Sequence, residues 1–260
     1  MKTSLGLLVI VILWSTAPAF TQQDGASIMK KVLSKATWKD MTAKVTLTVT
    51  SASGSKRVRK IDMMSRKRTD DESDMLMRFT EPADVRGTGF LIIEHATRDD
   101  DRYLYLPALR RIKRIASSGK GGNFMGSDFK YYDVGRPKLA DWNFRLVKSA
   151  HVDGIDCYII EARPATPELE KDIGYQKIFQ WVDKSNYTII HSEYYDRLGK
   201  KWKILTVPGL KKINGVWFQT HLVMRDIQAN RRSEFVFRDI KVNVGLPAST
   251  FTKRALSQWH

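Results

Sequence analysis

The feature that most constrains this chain is a two-residue alternation of apolar and polar side chains, broken at short intervals by turn residues. Val45, Leu47 and Val49 point one way if Lys44, Thr46, Thr48 and Thr50 point the other, the pattern of a half-buried β-strand. Met75, Met77 and Phe79 alternate in the same way with Leu76, Arg78 and Thr80. A turn over 51–55, with Gly54, predicts a return strand over 57–64. Residues 90–94 and 102–106 flank Asp99-Asp100-Asp101, which reads as a solvated hairpin turn. Further strands are predicted over 144–151, 155–163, 175–183, 188–196, 202–207, 216–225 and 232–240. Asp153-Gly154, Lys184-Ser185-Asn186, Leu198-Gly199 and Asn214-Gly215 separate them. So many strands at this spacing predict a mainly β fold (α+β), an antiparallel sheet that curls into a barrel or folds over as a sandwich.

Helical spacing is confined to two places. Ala26, Ile28, Met29, Val32, Leu33 and Ala36 recur at helical intervals over 25–38, behind Asp24 at the N-cap position. A shorter helical turn is expected over 127–133, carrying Phe129, Tyr131 and Tyr132. The glycine-rich stretch 116–126 reads as a mobile loop. Without a repeat, a low-complexity tract or a dividing linker, the chain reads as one domain.

Lys2, the apolar run over 5–14 and Ala17-Pro18-Ala19 have the order of a secretory signal peptide, with cleavage expected after Ala19. The run is about half the roughly 20 residues that a spanning helix needs. Removal of residues 1–19 leaves a single domain over 20–260, expected in the periplasm. No cysteine follows the cleavage position, so no lipid anchor is expected there. Cys157, in an apolar strand, is expected as a small buried hydrophobe. The net charge of +16 would suggest nucleic acid for a cytosolic chain. Export argues for no nucleic acid and leaves anionic headgroups, acidic protein surfaces or simple solubility as its reason.

Catalytic patterns are missing from the sequence. His95, His151, His191, His221 and His260 form no His-Glu-x-x-His pair and lie near no cysteine cluster, so no metal is expected. There is no Gly-x-Ser-x-Gly elbow. Gly119-Lys120-Gly121-Gly122 lacks the spacing of a phosphate-binding loop, and the three aspartates lack that of a calcium loop. A binding protein without cofactor is expected, rather than an enzyme. The segment with Arg110, Arg111, Lys113 and Arg114 places Leu109, Ile112 and Ile115 at every third residue. It reads as a docking strip for anionic lipid or an acidic partner, or as a solvated edge strand that charge protects from aggregation.

Several segments carry a family resemblance. Met77-Arg78-Phe79-Thr80-Glu81-Pro82-Ala83-Asp84-Val85-Arg86-Gly87-Thr88-Gly89-Phe90-Leu91 is one, and Asp101-Arg102-Tyr103-Leu104-Tyr105-Leu106-Pro107 with the basic run after it is another. Phe124-Met125-Gly126-Ser127-Asp128-Phe129, Trp181-Val182-Asp183-Lys184, Tyr194-Tyr195-Asp196-Arg197-Leu198-Gly199-Lys200, Ile213-Asn214-Gly215-Val216-Trp217-Phe218 and Asn243-Val244-Gly245-Leu246-Pro247 follow in order. Together they resemble the LolA-like family of outer-membrane lipoprotein-sorting proteins over nearly the whole mature chain. The resemblance implies a curved antiparallel sheet forming a half-open β-barrel, lidded by one or more helices around an apolar cavity. It implies a carrier of lipid or lipoprotein acyl chains between the inner and outer membranes, in a branch that accompanies RND-type exporters. A ligand-free adaptor of such an exporter is the alternative. On the carrier reading Val45, Leu47, Val49, Met75, Met77, Phe79, Phe179, Trp181, Phe218, Leu222 and Met224 are the candidate lining, although a one-residue slip would turn a strand's set outward.

Overall fold

The computed structural model describes residues 24–34 and 38–258, so the signal peptide expected over 1–19 lies outside the described residues. Thirteen strands form one antiparallel sheet: β1 (Asp40–Thr50), β2 (Lys56–Lys67), β3 (Ser73–Glu81), β4 (Gly89–Ile93), β5 (Asp101–Leu106), β6 (Arg111–Ile115), β7 (Trp142–Val152), β8 (Ile155–Pro164), β9 (Lys177–Asp183), β10 (Ile189–Tyr195), β11 (Lys201–Ile213), β12 (Val216–Asp226) and β13 (Arg231–Val242). Four short helices accompany them: α1 (Gly25–Leu33), α2 (Tyr131–Val134), α3 (Pro167–Ile173) and α4 (Lys253–Ser257). The spatial order is β6-β5-β4-β3-β2-β1-β13-β12-β11-β10-β9-β8-β7. Two meanders therefore run from opposite edges and meet at the pairing of β1 with β13. β6 and β7 remain as edges, and the sheet curves without closing. It is one sheet, so the sandwich alternative does not hold.

Alternation decides which side chains face inward. Across the central strands Val45 lies opposite Phe237 and Ile61, and Leu47 opposite Phe235. Met77 pairs with Met63 on one side and Phe90 on the other. In β13 the register shifts near Asp239, whose φ of 51° marks a bulge, and this resets the alternation. Phe235 and Phe237 before the bulge, and Ile240 and Val242 after it, consequently all pack on one apolar cluster. The concave cluster also takes in Met41, Ala43, Ile61, Phe79, Phe90 and Ile92.

The helices cover what the sheet cannot. Asp24 caps α1 by accepting from the Ser27 N–H, and Ile28 and Met29 pack on Ile160 and Val182 at the β8–β9 end. On the opposite sheet face Leu76, Leu91 and Tyr103 are covered by Phe251 and by Leu256 of α4. α3 begins at Pro167 behind Thr166, whose hydroxyl accepts from the Leu169 N–H, and ends on Gly174 with φ 70°. Asp40 accepts backbone N–H groups of Val244, Gly245 and Leu246, which fastens the exit of β13 to the start of β1.

Several expectations change. The first helix ends at Leu33 rather than near 38. The turn expected over 127–133 forms only from Tyr131, after a 3-10 turn at Phe124–Gly126. β11 continues through Pro208 to Ile213, and α3 and α4 carry no signal that the apolar periodicity picked out. The triple aspartate is not a solvated turn. Asp100 is 7 % exposed and pairs with Arg102 and Lys138 at 2.7 Å, while Asp101 pairs with Arg98 and Arg114 at 2.9 Å. The stretch 116–126 is folded against the body, with Lys120 and Phe124 buried. Cys157 is fully buried, as expected for a small hydrophobe.

The packing of that glycine-rich stretch is close enough to test. A Cβ at Gly121 would lie 2.0 Å from the Asp172 carbonyl oxygen of α3, a backbone atom that cannot swing aside. Gly121→Ala is expected to lower stability by about 1–3 kcal/mol, measured by urea unfolding against the parent.

Candidate functional site

Most of the candidate lining maps to the concave face of the sheet. Val45, Leu47 and Val49 of β1, Met77 and Phe79 of β3, and Met224 of β12 are buried there in one cluster. Met75, Phe218 and Leu222 are half-buried and pack against the same cluster. The structure does not bring Phe179 and Trp181 to this face. Ile178 and Val182 of β9 are the buried inward positions, so strand alternation turns residues 179 and 181 outward. There Phe179 meets Tyr195 with ring centroids 5.6 Å apart, and Trp181 meets His191 at 4.6 Å. The correction is a parity slip within a strand that was correctly placed.

Part of the concave face is filled by the chain itself. Residues 116–134 enter it as a plug whose tip is Phe124, fully buried. The Phe124 ring lies 5.2 Å from Phe90, 5.6 Å from Tyr131 and 6.2 Å from both Phe79 and Phe235. Phe129 reaches Phe235 at 4.8 Å. The aromatic density of 124–132 was a readable signal for this role, but glycine richness just before it suggested a loose loop.

Polar anchors hold the plug at the β10–β13 end. The Asp128 carboxylate, 0 % exposed, accepts from Arg231 at 2.6 Å and from the Ser233 hydroxyl at 2.6 Å. Its backbone N–H donates to Ser233 Oγ, and its carbonyl accepts from Lys203 Nζ at 2.6 Å. Lys130 Nζ donates to the Ile173 carbonyl and lies 4.5 Å from the Tyr175 ring and 4.4 Å from the Trp202 ring. Asp133 accepts from the Lys130 N–H at 2.7 Å and from the Tyr175 hydroxyl at 2.9 Å. Burial pushes Lys130 down to about 8, lowers Lys203 and raises Asp133, because each charged form loses water. None of Asp128, Lys130, Lys203 and Arg231 was singled out as a site residue from the sequence; their roles depend on contacts 40 to 100 positions apart in the chain.

The plug leaves another part of the face less covered. Met63, Met75, Phe218, Leu222, Phe237 and Ile240 all pack on the central cluster yet stay only half-buried. Two clefts are elsewhere and are polar. One of about 250 Å³ is lined by Asp99, Lys120, Asp141, Glu168 and Asp172, and one of about 420 Å³ by Thr50, Ser51, Arg225, Arg231 and Arg232. Among the described residues no three His, Cys, Asp or Glu side chains are grouped to hold a metal.

The basic segment forms the edge strand β6 and the turn before it. Arg110, Arg111, Lys113 and Arg114 are all exposed, beside Leu109 at 63 % and Ile112 at 36 %. Alternation divides the cations: Arg111 and Lys113 lie on one side of the strand, and Arg114 on the other, paired with Asp101.

The plug anchor yields a pH signature. Below about pH 8 the Lys130 ammonium is charged in both folded and unfolded chains, and its desolvation costs stability. Between about pH 8 and 10.5 the unfolded chain still holds a proton that the folded chain has released, so stability rises with pH across that window. Relative to Lys130→Met, the parent is expected to gain up to roughly 3 kcal/mol over this range, read from urea unfolding at a series of pH values. Parallel pH profiles for the two proteins would contradict it.

Comparison with known proteins places this geometry in a family. A family model described as an uncharacterized protein matches residues 71–258. No curated protein matches the sequence. A solved domain from Vibrio parahaemolyticus, described as an outer membrane lipoprotein-sorting protein, is 31 % identical, with a TM-score of 0.84 over 90 % of this chain and 98 % of that one. A DUF1329 family protein from Desulfovibrio piger is 27 % identical, with a TM-score of 0.83 over 89 % of this chain and 97 % of that one. A LolA superfamily protein from Nitrosomonas europaea, 20 % identical, shares the fold with a TM-score of 0.70 over 89 % of this chain and 99 % of that one. With its half-open sheet and helical cover, the chain belongs to the family of outer-membrane lipoprotein-sorting proteins and shares the LolA fold.

Proposed function

We propose that this protein is a periplasmic carrier that receives lipid or lipoprotein acyl chains on its concave face, in exchange for the plug, and moves them between the inner and outer membranes beside an RND-type exporter. One observation carries the reading: the half-buried apolar strip of Met63, Met75, Phe218, Leu222, Phe237 and Ile240 continues the fully buried cluster under Phe124. Large side chains left half-covered side by side on a concave face can still be buried by a ligand, and full burial of each contributes about 1.5–3 kcal/mol. An acyl chain leaves a bilayer at about 0.8 kcal/mol per CH₂ only if the carrier buries it equally well. The half-buried strip supplies a first contact, and withdrawal of Phe124 and Phe129 extends it.

The closed plug also favours a second reading. Phe124 and its neighbours fill the centre of the face, as they would in a ligand-free adaptor that docks on an exporter. Mass spectrometry of organic extracts from protein exported in its own host separates the two. The carrier reading expects a co-purifying lipid and saturable binding of a fluorescent fatty acid. Phe218→Asp, on the strip, is expected to weaken that binding by at least about tenfold, since an unpaired charge in an apolar site costs more than the 1.4 kcal/mol of a tenfold loss. Thr48→Asp, on the outer face of β1, leaves it unchanged. No extractable lipid and no probe binding leave the adaptor.

For either reading the exposed cations of β6 form the docking strip, toward anionic headgroups or an acidic partner. Arg111→Glu with Lys113→Glu is expected to weaken co-sedimentation with anionic liposomes by well over tenfold, at about 1 kcal/mol for each cation near an anionic surface. The parent's binding should fall with added salt, since exposed charges are screened over roughly 8 Å. Equal sedimentation of parent and double variant at low and high salt would reduce the strip to a charged sheet edge.

A further inference from the structure

The cleft of about 420 Å³ lies away from the concave apolar cluster, where the β1–β2 turn meets the β12–β13 turn. Its lining is positive. Arg225 and Arg232 stand directly opposite each other on β12 and β13, and Thr50 stands opposite Arg232 on β1, so the three form one row across three strands. Arg231, the next residue of β13, lines the same cleft.

Two like charges in directly opposed positions of a sheet repel, and such pairs are destabilising unless something lies between them. Arg232 is partly compensated by Glu234 at 2.8 Å, and Arg231 by the buried Asp128 at 2.6 Å. Arg225 has no acidic partner among the described residues, although it faces a second guanidinium. Thr50 lines the cleft too, and its hydroxyl oxygen is buried beneath the cleft surface with no hydrogen-bond partner among the described residues. A buried hydroxyl left unpaired costs about 1–3 kcal/mol. An excess of guanidinium donors beside an unused hydroxyl is a donor set without its acceptor.

We propose that this cleft is a binding site for a phosphate oxyanion, held in the fork of Arg225 and Arg232, with the Thr50 hydroxyl turning from its buried position to donate to a third oxygen. Guanidinium groups match phosphate by paired, charge-assisted hydrogen bonds, which a lysine's point charge does not reproduce. The phosphate comes from a lipid headgroup or from free phosphate, and the chemistry at the cleft is the same for both. The site stands whether or not the concave face takes an acyl chain, since no residue of the half-buried strip lines it.

Calorimetric titration of the full mature chain with inorganic phosphate at low ionic strength tests the site. The parent binds saturably. Arg225→Gln weakens binding by about tenfold or more, the loss expected for one charge-assisted hydrogen bond of about 1.5–3 kcal/mol. Arg225→Lys keeps the charge, loses the fork and falls between. Arg238→Gln, on the same side of β13 but outside the cleft, binds as the parent does and excludes a general charge effect. All these positions are exposed, and circular dichroism confirms that the variants fold. Flotation with phosphatidylglycerol-containing vesicles against pure phosphatidylcholine then separates the sources. Loss of vesicle binding in Arg225→Gln assigns the site to headgroups, and vesicle binding equal to the parent's assigns it to free phosphate. No saturable phosphate binding by the parent, or equal binding by parent and Arg225→Gln, overturns the proposal.

Discussion

A single curved sheet cannot bury its own concave face, and this protein is organised around that deficit. The face is apolar from β1 through β4 and again on β12 and β13, and exposing it to water would forfeit the main favourable contribution to folding. The sheet does not close, so the cover has to come from elsewhere in the chain. α1 covers one end and residues 116–134 fill the centre. Phe124 is the side chain on which the rest converges, since it touches Phe79 and Phe90 from one meander and Phe235 from the other. The two halves of the sheet thus share one core through a segment that belongs to neither.

That solution places charges in the interior. Asp128, Lys130, Asp133 and Lys203 are buried or nearly so, and each carries a desolvation cost. Hydrogen bonds from Arg231, Ser233 and Tyr175, with the rings of Tyr175 and Trp202 beside the two ammonium groups, offset much of it. A buried polar network of this kind holds one geometry well but contributes less net stability than apolar packing would. On the carrier reading, these polar anchors are the contacts that open when the plug withdraws, while the strand pairing stays. This is the physical link between the fold and the carrier reading.

The outer surface divides the remaining roles. The edge strand β6 keeps its cations exposed on both sides, a charge pattern that opposes edge-to-edge association of sheets. The arginine cleft, at the rim near the Asp128 anchor, is a separate concentration of positive charge with its own geometry.

Much of the fold was legible in the sequence because a strand reports itself locally. A period of two over 45–49 or 75–79 needs only neighbouring residues, and the turns at Asp153-Gly154 and Asn214-Gly215 punctuate it with glycines at positive φ. The family segments gave the half-open barrel, and β1 and β3 turned their expected faces inward. Parity in β9 was not legible, since Phe179 and Trp181 look as apolar as Ile178 and Val182, and only the neighbouring strands decide which pair is covered. The plug was not legible either. Gly119, Gly121 and Gly122 read as looseness, whereas Gly121 is there because a backbone carbonyl of α3 occupies the space of a side chain. The sequence by itself determined the strands, their turns and the family. Only the tertiary structure decided which residues cover the concave face, because contacts such as Phe124 with Phe90 and Phe235, or Asp128 with Arg231, join distant parts of the chain that no local pattern connects.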